Sequence, residues 1–372
     1  MRLQNRVRTS LLAMLLASAP GPRAVSAQAD TAWSALYLAD LERAHALIAA
    51  NHPGAVDSAN PAFARTLESA YAQARRAAAE VDGYTAYRLG LARFGNAFQD
   101  AHLGIGGARP MTGLREAGIH PVFRGGALVV EEVDGRYESL APALRGATLL
   151  DCDGRPADRL LAERVLSWRG RSGVEADRHL LALFGEEWLG RARAWLGDGV
   201  YTEWRVSPDN VESARGGARQ SEGRHGAGSP QAAAARAFAD SLEAALRRGE
   251  VLYGARSERR GVPRPPAVAL PGRVVVVTGP SCFSACLDFL DRMRLHPAVV
   301  QVGEVTGVDT DYMENWGQRL PSGLSGIGYP MKVYRNRRRA ADQAYAPHVR
   351  YGGPLRDTAA LRTWIRENHA RW

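Results

Sequence analysis

The chain has 372 residues, a length that suits two or three compact units, and a formal net charge of +9. Arg2, Arg6, Arg8 and Arg23 lie in the first 27 residues, which hold no acid, so nine less four leaves +5 on the remainder. Lys332 is the only lysine, and the basic run "RNRRR" at 335–339 has no interleaved aromatics or groove-binding motif, which argues against a nucleic-acid partner.

Residues 1–27 read as a signal peptide. "MRLQNRVR" is a basic start, "LLAMLLASA" is apolar but too short to span a bilayer, and Val25 and Ala27 suit cleavage before Gln28. No later segment is long and apolar enough to anchor the chain. The expectation is a soluble periplasmic or secreted protein with no stable membrane insertion after cleavage.

Residues 32–100 carry helical periodicity. Leu38, Leu41, His45 and Ile48 share one face of a first helix, which "NHPG" at 51–54 stops. Asn60 caps a second helix with Phe63, Leu67 and Tyr71 in register, and Tyr87, Leu91, Phe94 and Phe98 mark a third. Together they predict a small helical bundle. The glycines of "FQDAHLGIGG" mark a change of architecture.

From 118 to 165 the period shortens. "GALVVEEVDGRY" predicts a hairpin around Asp134–Gly135, and "GATLLDCDGRPADRLLAERV" predicts a strand, a tight turn at Asp153–Gly154 and a helix. Residues 175–200 hold a Trp- and Leu-rich helical pattern. Residues 206–230 are nearly free of large apolar side chains and read as an irregular loop. "QAAAARAFADSLEAALRRG" predicts a helix and "PRPPAVALPG" an extended linker.

"VVVVTGPSCFSACLDFLDRM" at 274–293 begins as a strand buried on both faces of a parallel sheet, turns sharply and becomes a helix. "AVVQVGE" is the next buried strand, which makes a βαβ unit. "DTAALRTWIREN" closes the chain as a helix capped by Asp357.

Ser284 stands at the strand-to-helix turn, where a serine has two uses. As an N-cap it accepts a backbone N–H, worth about 1 kcal/mol. As a nucleophile it projects from the C-terminal edge of the sheet, where the Ala285 N–H and the helix dipole can hold an oxyanion. Local sequence leaves both open. The pattern Gly-x-Ser-x-Gly is absent, so the turn is not the hydrolase nucleophile elbow.

Cys152, Cys282 and Cys286 allow one disulfide and one free thiol. Cys282 and Cys286 lie close on a helix, but spacing does not set the pairing, and a disulfide or plain packing is expected of them rather than catalysis. The acidic residues of "GEVTGVDTDYMEN" fail the EF-hand pattern, and Glu304 reads as structural in a substrate-side loop. No zinc spacing, phosphate loop or dinucleotide fingerprint occurs, so no metal or cofactor is expected.

Four segments, whose order along the chain fits the family, resemble parts of the carboxyl-terminal-processing and tricorn-core family of serine peptidases. "GPSCFSACLDFLD" resembles the family's nucleophile turn, with Ser284 on the serine. "VVQVGEVTGVDTDY" is similar to its following strand and Gly-Glu-x-Thr-Gly loop, and "FQDAHLGI" to its Asp-Gly-His segment. "GATLLDCDGRPA" is similar to the end of a PDZ-like module. The resemblance implies an α/β fold, with a ClpP/crotonase-like parallel-sheet core, an N-terminal helical bundle and a PDZ-like insertion. The implied organisation is a signal peptide at 1–27, a helical domain at 28–105, a PDZ-like module at 106–170 and a peptidase core at 171–372.

The resemblance also implies site residues. Ser284 is the nucleophile, and His102 is the base that serine needs, since its own pKa leaves almost no alkoxide at neutral pH. The lysine that some members place downstream is missing from "GVDTDYMEN". The family's serine before the histidine is replaced by Ala101, and its C-terminal glutamate falls near Asp342, which either orients His102 or is a surface acid. The oxyanion donors are the Ala285 N–H and a backbone N–H from the turn at Gly226, Ala227 and Gly228, where "EGRHGAGSPQ" departs from the family's glycine-rich turn. The implied substrate is a peptide or unfolded protein, bound by strand addition at the PDZ-like segment. Loss of the glycine-rich turn and its strand supports the alternative, a catalytically weakened or inactive peptide- or ligand-binding protein on the same scaffold.

Overall fold

A computed structural model describes residues 26–109, 119–124, 126–152, 155–166, 170–171, 174, 201–256, 272–335, 337 and 339–372. The first 25 residues of the expected signal, the helical pattern at 175–200, the turn at Asp153–Gly154 and most of the proline-rich linker lie outside them.

Helix α1 (Ser26–Asn51) ends where His52 and Pro53 begin a short 3-10 turn. Helices α2 (Pro61–Arg76) and α3 (Tyr84–Asn96) follow. The buried face of α1 is Tyr37, Leu41, Ala44, Leu47 and Ile48, turned slightly from the expected stripe. Leu38 is only partly buried, and His45 instead stacks on Tyr71 of α2. Asn60 stands at the start of α2 without capping it through its side chain; its amide donates to the Tyr312 hydroxyl.

These helices do not close a core of their own. They share one with strands β1 (Gly104–Gly107), β10 (Tyr312–Arg319) and β11 (Ser325–Arg335), which contribute Ile105, Tyr312, Ile327, Tyr329, Met331 and Val333. Burying this apolar surface is the main term that fixes the helices to the sheet. The sequence pattern did not suggest the β10–β11 hairpin, which turns at Gly323 (φ +70°). β11 also pairs antiparallel with β1 and with β6 (Tyr201–Arg205), and β6 with β7 (Leu252–Arg256). The larger described sheet is therefore antiparallel, and among the described residues the parallel sheet has three strands.

Those three are β8 (Val274–Thr278), β9 (Val299–Gly303) and β12 (Val349–Arg350), in the order β12-β9-β8. Helix α8 (Ala285–Met293) connects β8 to its parallel partner β9. Every residue of β9 is buried, as expected for a central strand. The run of valines in β8 is not, and Val277 is 42% exposed, because β8 ends the sheet among the described residues. The last helix, α9 (Thr358–Asn368), is capped by Asp357, which accepts the Ala360 N–H.

Between residues 119 and 166, β2 (Ile119–Arg124) pairs with β3 (Ala127–Val133). The expected hairpin at Asp134–Gly135 is not formed. Gly126, at φ +83°, precedes β3 at the β2–β3 turn, and Gly135 starts a 3-10 turn. Short α4 (Ala141–Leu144), the strand pair β4 (Asp151–Cys152) and β5 (Arg155–Pro156), and α5 (Ala157–Leu160) complete this region. Val130, Val133 and Ala141 form one small cluster, and Leu128, Ala157, Leu161 and Leu166 another.

The irregular loop expected at 206–230 is instead a helical hairpin, α6 (Pro208–His225) and α7 (Pro230–Arg247), inserted between β6 and β7. Ser207 accepts the Asn210 N–H and Ser229 accepts the Ala232 N–H, with proline at the first helical position in both. Gly216, Gly217 and Gly223 each weaken α6 by roughly 1 kcal/mol relative to alanine. The caps, buried Val211 and Ala218, and the cross-helix ion pairs Arg215–Glu243 and Arg236–Glu222 offset that cost.

Candidate active site

Ser284 precedes the first residue of α8 but does not cap the helix: its side chain accepts no backbone N–H there. Its backbone is at φ +55° and ψ −122°, a conformation that costs a non-glycine residue about 1–3 kcal/mol. The carbonyl of Ser284 accepts the Leu287 and Asp288 N–H groups, so the helix starts normally while the side chain is thrown outward. Its Oγ lies 3.0 Å from Nε2 of His102.

His102 comes from the turn between α3 and β1. Asp100 makes that turn, with Oδ1 accepting the His102 backbone N–H at 2.9 Å and its carbonyl accepting the Leu103 N–H. The same Oδ1 lies 3.7 Å from His102 Nδ1, which has no hydrogen-bond partner among the described residues. One carboxylate thus folds the loop and sits beneath the ring. The spacing Asp-x-His carried this signal, because an aspartate bonds readily to the N–H two residues on.

Asp100 is buried and fully engaged. Thr310 donates its hydroxyl to Oδ1 at 3.1 Å, and Oδ2 lies 3.3 Å from His52 Nε2. Burial alone would raise the Asp100 pKa, but the close His102 ring, the hydrogen bonds from His52 and from the His102 backbone N–H, and the attraction of both rings outweigh it. Its carboxyl is held well below the usual carboxylate range. Burial pushes the His52 pKa down, against the pull of Asp100.

Cys282 and Cys286 are joined by a disulfide with Cα atoms 5.2 Å apart. It brackets Ser284 and removes both thiols as nucleophiles. Gly307, from the Gly-Glu-x-Thr-Gly loop, lies against the same turn: a Cβ there would sit 2.8 Å from the Pro280 carbonyl and 3.1 Å from Phe283 Cβ. Phe283 in turn lies beside the His102 ring, with centroids 5.7 Å apart.

The other expected site residues lie elsewhere. Asp342 does not meet His102; its carboxylate pairs with Arg171 at 3.2 Å. Gly226 caps α6, and its N–H donates to the Glu222 carbonyl, so it is not an oxyanion donor. Ala227 lies in the exposed α6–α7 turn and gives its carbonyl to Arg236. Ala285 remains a donor, because the first N–H of a helix has no partner within it. Lys332 pairs with Glu314 at 2.9 Å and lies over the rings of Trp204 and Tyr334. The described arginines of "RNRRR" meet carboxylates: Arg335 meets Asp57 and Glu203, Arg337 meets Asp309 and Asp311, and Arg339 meets Asp309 and Asp291.

No family model matches the chain, and no curated protein matches it in sequence. Solved structures are similar to it in fold. Mature CPAF is similar with a TM-score of 0.52 at 11% identity, over 86% of this chain and 93% of that one. Mature CPAF complexed with lactacystin is similar with a TM-score of 0.53 at 11% identity, over 86% of this chain and 94% of that one. The chain shares the fold of mature CPAF. A photosystem II D1 C-terminal processing protease also matches, at a TM-score of 0.31 and 12% identity, over 85% of this chain and 93% of that one. At these identities the likeness to CPAF is one of fold, and the chemistry rests on the residues above.

Proposed function

We propose that the protein is a serine peptidase of the carboxyl-terminal-processing type, acting on peptides or unfolded protein segments. The observation that carries this is the contact of 3.0 Å between Ser284 Oγ and His102 Nε2, made by a serine whose backbone sits at φ +55°. A capping serine needs neither feature.

In this reading Ser284 attacks the peptide carbonyl while His102 takes its proton, and His102 then returns that proton to the leaving amine. Water hydrolyses the acyl-enzyme by the same route. Asp100, rather than Asp342, orients His102 and stabilises the imidazolium that forms. The Ala285 N–H and the α8 dipole hold the oxyanion. The region 106–170 is a candidate PDZ-like peptide-binding module, which would add the substrate as a strand. The Cys282–Cys286 disulfide supports an oxidising compartment, consistent with an export signal at 1–27.

A second reading is favoured by one observation. The segment expected to provide the other oxyanion donor is the α6–α7 hairpin, with Gly226 N–H already bonded. Loss of one such donor costs about 2.7–4 kcal/mol in the barrier. On that count the chain is a weakened enzyme or a peptide-binding protein on a peptidase scaffold.

Labelling of the purified protein with a fluorophosphonate, beside a Ser284→Ala control, separates the two. Labelling that disappears in the control supports the peptidase. Well-folded protein that stays unlabelled sinks it and favours the binding protein.

A further inference from the structure

His52 is a fully buried histidine outside the Ser284–His102–Asp100 chain, and its place is over-determined. It follows the last residue of α1, and Pro53 prevents that helix from continuing. The Gly54 N–H donates to its Nδ1 at 2.9 Å. A Cβ on Gly54 would meet the Phe63 ring at 2.7 Å and His52 Nδ1 itself at 2.9 Å. The ring stacks on Phe63 with centroids 4.2 Å apart and meets the Tyr312 ring edge-on at 4.9 Å.

This geometry assigns the tautomer. With Nδ1 occupied as an acceptor, the proton of the neutral ring sits on Nε2, and Nε2 faces Asp100 Oδ2 at 3.3 Å. His52 therefore donates to the carboxylate oxygen that His102 does not use. Thr310 and the His102 backbone N–H donate to the other. A carboxylate held at both oxygens cannot rotate away from the His102 ring.

We infer that His52 is a positioning residue for the candidate reaction: it locks the Asp100 carboxylate so that Asp100 keeps His102 in one tautomer with the Nε2 lone pair on Ser284. This rests on reading Ser284 and His102 as nucleophile and base. His52 touches neither the substrate nor the reacting atoms; it acts through Asp100. The short segment "NHPG" thus ends a helix and supplies a donor to the site.

The test uses two variants of the full-length protein. His52→Phe keeps a planar ring between Phe63 and Tyr312 but donates nothing. His52→Gln keeps a donor, and its amide oxygen can still accept from Gly54. Fluorophosphonate labelling, and turnover of a peptide or ester reporter, should slow by about 10- to 100-fold in His52→Phe, the worth of one hydrogen bond to a buried charge. The loss should fall on kcat with KM unchanged, and His52→Gln should recover most of it. A folded His52→Phe variant that labels at the wild-type rate overturns the inference, as does a Gln variant no better than Phe.

A second measurement needs neither turnover nor a variant. Imidazole nitrogen NMR of histidine-labelled wild-type protein should show His52 protonated at Nε2 and His102 in a single tautomer. His52 protonated at Nδ1 overturns the inference even if His52→Phe fails to fold. Wild-type protein that shows the expected tautomers but takes no label sinks the peptidase reading and, with it, the role of His52 in the reaction, and leaves only the His52 hydrogen bond to Asp100.

Discussion

Asp100 serves His102 twice: Oδ1 accepts the His102 backbone N–H at 2.9 Å and lies 3.7 Å from the ring nitrogen Nδ1. Loop geometry and ring orientation therefore depend on one carboxylate. Asn at 100 keeps the turn, since its amide oxygen also accepts the N–H, but it offers no negative charge to the imidazolium. Asp100→Asn should still fold but with lower stability, since its amide NH2 then faces the His52 Nε2–H, and should lose on the order of 10⁴-fold in kcat, the loss seen when a triad aspartate is neutralised. Reporter kinetics with a thermal melt check this; near-wild-type turnover would exclude Asp100 as the orienting group.

The backbone at Ser284 separates strain from chemistry. Glycine adopts φ +55° freely, whereas alanine carries the same penalty as serine. Ser284→Gly should be more stable than Ser284→Ala by about 1 kcal/mol, allowing for the greater chain entropy of glycine. Both should be inert to fluorophosphonate. Urea unfolding of the two inactive variants decides the point, and equal midpoints would mean that position 284 is unstrained.

The disulfide across Ser284 closes a short loop. For a Cys282–Cys286 link the chain-entropy relation gives about 2 kcal/mol of stabilisation. A dithiol reductant should lower the melting temperature of the wild type and leave a Cys282→Ala, Cys286→Ala double variant unchanged. The double variant should also label more slowly, because the turn that holds Ser284 outward is no longer tied at both ends. An unaltered labelling rate would confine the disulfide to stability.

Acid should destabilise the protein from near neutrality downward. Burial lowers the folded pKa of His52 below its ordinary 6.5, and Asp100 is likewise depressed. In both cases the unfolded chain binds protons that the folded chain does not. Stability is full above about pH 6.5 and falls with a slope of up to about 1.4 kcal/mol per pH unit per proton. The carboxylate contribution follows below about pH 4 and is lost as pH falls through the depressed folded value of Asp100. The groups facing His52 are Asp100, His102, Asp57 and the Tyr312 ring. His348, lowered by burial and by Arg294, adds to the upper limb. His52→Gln should reduce the slope between about pH 6.5 and 5, measured by urea unfolding at stepped pH. An unchanged slope would mean that His52 does not titrate on unfolding.

Gly307 has no room for a side chain. Its Cβ would meet the Pro280 carbonyl at 2.8 Å, a backbone atom in the turn that leads to Ser284. Gly307→Ala should cost about 1–3 kcal/mol and slow labelling together, because the alanine pushes the turn off its position. Lost stability with unaltered labelling would show that the turn absorbs the methyl elsewhere.

Several elements were legible without the fold. The strand, turn and helix around Ser284, the three N-terminal helices and the capped last helix each follow from periodicity and end signals within a dozen residues. The α6 helix was not legible, because its composition is that of a loop. Ser207, Pro208 and packing against α7 make it helical, and only the first two are local. Gly226 and Ala227 went with it, since a glycine-rich turn looks the same between two helices as beside a nucleophile. β8 reads as doubly buried from its valines, yet burial depends on neighbouring strands, and here it ends the parallel sheet among the described residues.

By itself the sequence determined the chemistry on offer: a serine at a strand-to-helix turn, an Asp-x-His turn, and a histidine stopping a helix before proline. Those are short-range facts, set by backbone sterics and by side chains bonding to nearby N–H groups. Only the tertiary structure decided which carboxylate serves His102, that His52 stands behind it, and that Ser284 points outward rather than capping its helix. Ser284 and His102 are 182 residues apart in the chain. Their meeting depends on the shared core that seats α1–α3 against the β10–β11 hairpin, and no local pattern encodes that distance.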